Sequence, residues 1–288
     1  MSGSQVVTPE LRQWIIEQVQ AGCQPAEVLA SMRSSGWDED VAIAALEHTL
    51  QQFTADPLRV PAQGLALPPA VRVPEPALAG SPSRLWAGDR EVSVLVMLRN
   101  PPLVVLGGLL SDEECDALVA AAEPRLARSE TVVLETGGNE INPSRTSRGM
   151  FFGRGETPLC QRIEARIAAL VNWPVVNGEG LQVLHYRPGA EYKPHHDYFD
   201  PGQPGMAAVL RRGGQRVATL VMYLNTPQQG GGTTFPDLSL EVAPIKGNAV
   251  FFSYDRPHAT TRTLHGGAPV ISGEKWVATK WLREGEFI

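Results

Sequence analysis

Between residues 8 and 52 the apolar positions recur at helical spacing. Thr8-Pro9 supplies an N-cap with proline at the first helical position, and Leu11, Trp14, Ile15 and Val19 then share one face until Gly22. A second helix is expected from Pro25 to Arg33, stopped near Gly36, and Asp38 caps a third in which Val41, Ala45 and Leu46 face inward. The pattern then dissolves. Pro57, Pro61, Pro68, Pro69, Pro74, Pro76 and Pro82 are interleaved with Ala, Gly and Ser, a composition that favours extended chain and reads as a linker. The division that follows is a small helical accessory domain over 1–53, a linker over 54–90 and a main domain over 91–288.

From Glu91 the pattern turns to strand. Ser111-Asp-Glu-Glu114 has the form of a capping box, opening a helix that stops near Pro124. Thr131 to Glu135 reads as a strand, and Thr157-Pro158 opens a helix with Leu159, Ile163, Ile167 and Leu170 on its apolar face. After Gly180 come strands separated by Gly and Pro turns: Leu181–Tyr186, Arg216–Asn225, Leu240–Val242, Ala249–Tyr254 and Lys275–Leu282. Many short strands preceded by two helices predict a mainly β domain. The expected architecture is a double-stranded β-helix, or jelly roll, with helices supporting one side, plus the N-terminal three-helix bundle. No chemistry and no partner is assigned to that bundle.

Composition narrows the function. With 43% hydrophobic and 19% charged residues the chain is an ordinary globular one. A net charge of −6 leaves no excess of positive charge for phosphates, so nucleic acid is not expected as a partner. The most apolar stretch, Val92 to Leu110, is broken by Arg99-Asn100-Pro101-Pro102 and is too short for a bilayer. Three cysteines without CxxC spacing, and an N-terminus without a basic-then-apolar signal, predict reduced thiols and a cytoplasmic location.

Chemistry concentrates in Lys193-Pro194-His195-His196-Asp197-Tyr198-Phe199. On a strand, alternate side chains share a face, so His195 and Asp197 point to one spot and His196 points away. His265 is the third candidate, with His258 its main competitor; His48 and His258 read as surface residues. Two histidines and one carboxylate leave positions open on a divalent ion, the pattern of non-haem Fe(II) oxygenases. Lys275 lies among Trp276, Val277, Ala278 and Trp281, where an ammonium is costly unless an anion meets it. Alternation puts Lys275, Val277, Thr279 and Trp281 on one strand face and predicts that Lys280, on the other, is exposed.

Four ordered blocks resemble the prolyl 4-hydroxylases, Fe(II)- and 2-oxoglutarate-dependent dioxygenases. They are Tyr186, Gly189, Tyr192, His195, Asp197 and Phe199; Arg216-Val-Ala-Thr219 with Tyr223-Leu-Asn225; Gly230 to Pro236, with Thr233 and Phe235; and His265 to Trp281. The resemblance spans roughly Val92 to Ile288. It implies that His195, Asp197 and His265 bind Fe(II) and that Lys275 pairs with the far carboxylate of 2-oxoglutarate. Tyr186, Thr233 and Trp281 would line the co-substrate pocket. Arg145-Thr146-Ser147 resembles a segment near the peptide groove, and Arg145, Tyr192 and Arg216 are the candidates for substrate contact. The implied reaction consumes O2, releases succinate and CO2, and hydroxylates an amino-acid side chain, with peptidyl proline first; ascorbate is a further cofactor the resemblance allows. The Gly- and Pro-rich run from Asp200 to Gln215 departs from the pattern and reads as a flexible loop, a lid or substrate clamp. Two other readings stay open: a non-catalytic scaffold acting through the N-terminal helices, and a Zn or Mn enzyme, which leaves Lys275 unexplained.

Overall fold

Capping chemistry sets both long helices of the main domain. Ser111 accepts from the Glu114 N–H (3.2 Å) while the Glu114 carboxylate accepts from the Ser111 N–H (3.0 Å), which starts Asp112–Ala122. Thr157 accepts from the Cys160 N–H at 3.1 Å, with Pro158 at the first position, and starts Pro158–Val171. Each such cap stabilises its helix by about 1 kcal/mol. The computed structural model describes residues 7–20, 23, 25–55, 67–128, 131–132, 139–140, 146–203 and 205–288.

Two units emerge, Met1–Leu67 and Pro68–Ile288. In the first, helices Pro9–Gln20, Pro25–Ser34 and Glu39–Ala55 bury Ile15, Val28, Met32, Ala42, Ala45 and Leu46 together. Thr8 Oγ1 accepts from the Leu11 N–H and Asp38 Oδ1 from the Asp40 N–H, as the sequence predicts for two of the helix starts.

The second unit is built on a nine-stranded antiparallel sheet. From edge to edge it runs Arg84–Trp86, Glu91–Arg99, Pro102–Gly107, Ala249–Ser253, Arg216–Tyr223, Lys275–Arg283, Leu181–Tyr186, Arg148–Phe152 and Ala127–Arg128. A four-stranded sheet, in the order Leu240–Val242, Thr233–Phe235, His265–Gly267 and Tyr192–His195, faces it. Between the two lie Leu103, Tyr223, Phe235, Val242, Val250, Phe252 and Val277. The other face of the large sheet carries the helices, with Cys115, Leu118, Ile163, Ile167 and Leu170 packed on Val104, Leu106, Val183, Leu220, Met222 and Ala278. This is the two-sheet, helix-backed architecture that the strand pattern predicts. The apolar stretch from Val92 becomes a hairpin pairing Arg99 with Pro102.

Four expectations need correction or limitation. The stretch expected as a linker over 54–90 belongs, from Pro68, to the second unit, so that unit begins well before residue 91. Val71, Val73 and Leu78 pack on the helix-side core and Arg84–Trp86 adds an edge strand; extended proline-rich chain carries apolar side chains as readily as a strand does. The expected strand Thr131 to Glu135 is a strand at Thr131–Val132, and its remainder lies outside the described residues. The run from Asp200 to Gln215 is not simply loop. It contains the helix Met206–Leu210 with Met206 fully buried, and Gln215 is tied to Phe199 by two hydrogen bonds of 2.8 and 2.6 Å.

Lys280 is the fourth. It is 2% exposed, on the helix side of the sheet, and paired with Glu164 at 2.5 Å and with the Glu179 carbonyl. Alternation predicts an exposed side chain only where one sheet face meets water, and here both faces are covered. Glu164→Ala, which strands the Lys280 ammonium, is therefore expected to destabilise the protein by about 3–5 kcal/mol in urea denaturation. Glu164→Leu combined with Lys280→Met recovers most of that loss. A single-variant loss within error would show that the pair is not held away from water.

Candidate active site

Strand pairing brings the two histidines together. Tyr192–His195 and His265–Gly267 are antiparallel neighbours whose register sets His265 directly across from His195, with ring centroids 4.5 Å apart. Each ring is fixed by its own strand: Nδ1 of His195 lies 2.9 Å from the Lys193 carbonyl, and Nδ1 of His265 lies 3.0 Å from the Thr263 carbonyl. A carbonyl can only accept, so both Nδ1 atoms carry a hydrogen, and in the neutral ring that leaves Nε2 as the atom with the lone pair. Asp197, two residues past His195, receives them. Its Oδ1 is 3.6 Å from His195 Nε2 and its Oδ2 is 3.4 Å from His265 Nε2.

The donor atoms of all three residues lie within 4.8 Å of one another. Asp197 is 7% exposed and His265 5%. Burial alone would raise the Asp197 pKa, but the imidazole of His265 and contacts with both rings outweigh it and hold the carboxyl well below its usual range. Burial, and then the neighbouring His265, push the His195 pKa down. An ionised carboxylate and an unprotonated imidazole are the forms that bind a cation. Two imidazoles and one carboxylate on a buried wall fit a mononuclear iron(II) ion with open positions.

Asp197 is held from behind. The Thr219 hydroxyl donates to its Oδ2 at 2.7 Å, and the Tyr254 hydroxyl lies 2.9 Å from Thr219 Oγ1. Thr219 sits on Arg216–Tyr223, opposite Phe252 on one neighbouring strand and Trp281 on the other.

A narrow pocket leads from these ligands to Lys275, which is 3% exposed and opposite Tyr186 on the adjoining strand. Its Nζ stands 5.3 Å from the centre of the Tyr186 ring. Among the described residues the one charge acting on Lys275 is Glu241, which does not overcome burial, and the pKa falls to about 8. A buried ammonium facing a cavity that also opens on the metal ligands fits an anionic ligand bridging the two. Leu184, Val221 and Val277 supply apolar wall, and Thr233, whose Oγ1 accepts from Tyr223 OH at 2.8 Å, the polar part.

The structure thus gathers His195, Asp197, His265, Lys275, Tyr186, Thr233 and Tyr192 around one pocket. Tyr192 stacks on the His195 ring at 3.8 Å. Trp281 and Arg216 are not in its wall. The Arg216 guanidinium lies 3.9 Å over the Trp281 ring and forms two bonds to Glu179, at 2.7 and 2.9 Å. These residues stand behind Asp197, beside a broader cleft that Phe151, Phe199, Arg212 and Phe287 help to line. Arg145 lies outside the described residues. His196 stacks on Tyr198, His185 pairs with Glu274 at 2.6 Å, and His258 caps a short turn over Ala259–Thr261; none joins the ligand group. Sequence reasoning assigned no role to Thr219, Tyr254 or Glu179. The usable signal was a threonine inside the apolar run Arg216–Asn225, where a hydroxyl needs a buried partner.

Comparison with known proteins agrees with this geometry. Residues 181–283 match the 2OG-Fe(II) oxygenase superfamily. A mononuclear iron(II) dioxygenase that uses 2-oxoglutarate and O2 is the class this site defines. Prolyl 4-hydroxylase 1 of Arabidopsis thaliana is 42% identical over 225 residues, covering 69% of this chain and 77% of the relative. Probable prolyl 4-hydroxylase 3 of the same plant is 40% identical over 221 residues, covering 69% and 75%. Among solved structures, the viral collagen prolyl hydroxylase of Paramecium Bursaria Chlorella virus-1, in complex with 2OG, has 32% identity over 63% of this chain and 95% of its own, with a TM-score of 0.49. The chain belongs to the prolyl 4-hydroxylase family.

Proposed function

We propose that this enzyme hydroxylates peptidyl proline at C4, with His195, Asp197 and His265 holding Fe(II) and Lys275 holding the distal carboxylate of 2-oxoglutarate. The observation that carries the reading is the pocket itself: a buried ammonium with no ion-pair partner among the described residues and an intact two-histidine, one-carboxylate group share one cavity. Bound iron(II), 2-oxoglutarate and O2 supply the oxidation that replaces C–H with C–OH and yields succinate and CO2. The protein's residues do the rest. His195 and His265 offer Nε2 with the tautomer already set, and Asp197 stays ionised. Lys275 fixes the far end of the co-substrate, while Leu184, Val221 and Val277 keep water out. Tyr192, stacked on His195, is the proposed contact for the incoming substrate.

A proline-containing peptide is the proposed partner, and the cleft beside Arg216 and Trp281 is the proposed place for its flanking residues. Three free thiols support a reducing compartment such as the cytoplasm. Among the described residues no helix is long and apolar enough to cross a membrane. A scaffold acting through the N-terminal helices is not favoured, because a scaffold has no use for the complete ligand group or for Lys275.

The test is an assay with Fe(II), 2-oxoglutarate, O2 and ascorbate as reductant, offering synthetic proline-rich peptides and following both succinate and peptide mass. Proline-dependent succinate with one oxygen atom gained on a proline ring is the expected result. Oxygen gained only by another side chain, or by a free amino acid, would sink the proline assignment and leave the dioxygenase standing.

A further inference from the structure

We infer that Thr219 and Tyr254 form a two-hydroxyl relay that fixes Asp197 and leaves Oδ1 as the carboxylate oxygen free for the metal; this rests on the iron-site reading above. The direction of the relay is forced. An ionised carboxylate can only accept, so Thr219, 2.7 Å from Oδ2, spends its one hydrogen there. The Tyr254 hydroxyl, 2.9 Å away, must then donate to Thr219 rather than accept from it. Tyr254 is fully enclosed, and burial raises its pKa well above the ordinary value, so it keeps the hydrogen it donates.

Each member is clamped by the large sheet. Thr219 is completely buried in the Arg216–Tyr223 strand, and the Tyr254 N–H donates to the Val217 carbonyl at 2.9 Å. The Tyr254 ring is packed between Tyr198 and Phe252, with centroids at 6.1 and 6.2 Å. Among the described residues no hydroxyl or backbone N–H takes Oδ1, whose neighbour is His195 Nε2 at 3.6 Å. The strand that supports the co-substrate end of the pocket therefore also orients the carboxylate ligand. Tyr254 and Thr219 are positioning residues: they act on the metal through Asp197.

Cobalt(II) titration of the metal-free full chain, read by visible absorption, tests this without turnover. Thr219→Val keeps the shape of the side chain and removes the hydroxyl. It is expected to weaken Co(II) binding about tenfold and to shift the absorption band. Thr219→Ser should restore both affinity and band. Tyr254→Phe should move both in the same direction by less, and it remains informative should Thr219→Val fold poorly. Because Tyr254 acts through Thr219, the double variant should match Thr219→Val alone. Wild-type affinity and band in Thr219→Val, or fully additive losses in the double variant, overturn the relay. If wild type itself binds no Co(II), or His265→Ala binds it equally well, the iron-site reading has failed instead.

Discussion

Replacing His265 with alanine is expected to reduce succinate formation to background and to weaken Fe(II) binding by more than about 100-fold, since ligands are worth at least as much as the residues that orient them. The register that sets His265 opposite His195 gives the site its second imidazole, and no other histidine is placed to substitute. The loss is compounded at Asp197. Without that ring Oδ2 of Asp197 loses its neighbour at 3.4 Å and keeps only the Thr219 hydroxyl, so the carboxylate faces a cation with one imidazole beside it. His258→Ala is the control. Its ring engages Thr260 in a surface turn, and turnover should survive. An active His265→Ala beside an inactive His258→Ala would reassign the third ligand. Thermal denaturation of both variants separates loss of the ligand from loss of the fold.

Sequence patterns carried the ligands and lost their supports, for a physical reason. A period of two along a strand places His195 and Asp197 together, and local caps at Ser111 and Thr157 place the helices; each signal spans a few residues. The supports come from far along the chain. Arg216 looks like a free cation until Glu179, 37 residues away, is found on its guanidinium. Lys280 looks exposed until Glu164, 116 residues away, meets it beneath the helices. Trp281 shares the strand of Lys275, yet the pocket wall on that strand runs over Lys275, Val277 and Thr279, and Arg216 stacks on the Trp281 ring. Thr219 differs from a core valine by one hydroxyl, and only the fold shows what that hydroxyl reaches. Composition misled twice: prolines suggested a free linker where Val71 and Val73 pack, and glycines a free loop where Met206 is buried.

Lys275→Ala should raise the KM for 2-oxoglutarate by about 30-fold or more, the consequence of losing about 2 kcal/mol or more when one partner of a buried charge pair is removed. Turnover at saturating 2-oxoglutarate should fall much less, because the lysine contacts the end of the co-substrate that does not react. Lys275→Arg should not restore affinity: the backbone at Gly231 and Gly267 approaches the lysine side chain, a Cβ on Gly231 falling 3.2 Å from it, and a planar guanidinium does not reproduce the position of a compact ammonium. The wild-type enzyme also carries a pH signature. With Lys275 at about 8 in the ligand-free protein, affinity for 2-oxoglutarate should be level below pH 8 and decline above it, as the ammonium that pairs with the carboxylate is lost. Stability of the ligand-free protein should move the other way. The folded pKa lies below the usual 10.5, so between pH 8 and 10.5 the unfolded chain binds more protons and this group's contribution to stability rises with pH. The gap corresponds to roughly 3 kcal/mol of burial penalty. Lys275→Ala removes that penalty, so the ligand-free variant should melt no lower than wild type at pH 7 while binding 2-oxoglutarate far more weakly. A variant that melts lower and binds 2-oxoglutarate normally would make Lys275 a structural cation, and the anion end of the pocket would have to be sought elsewhere.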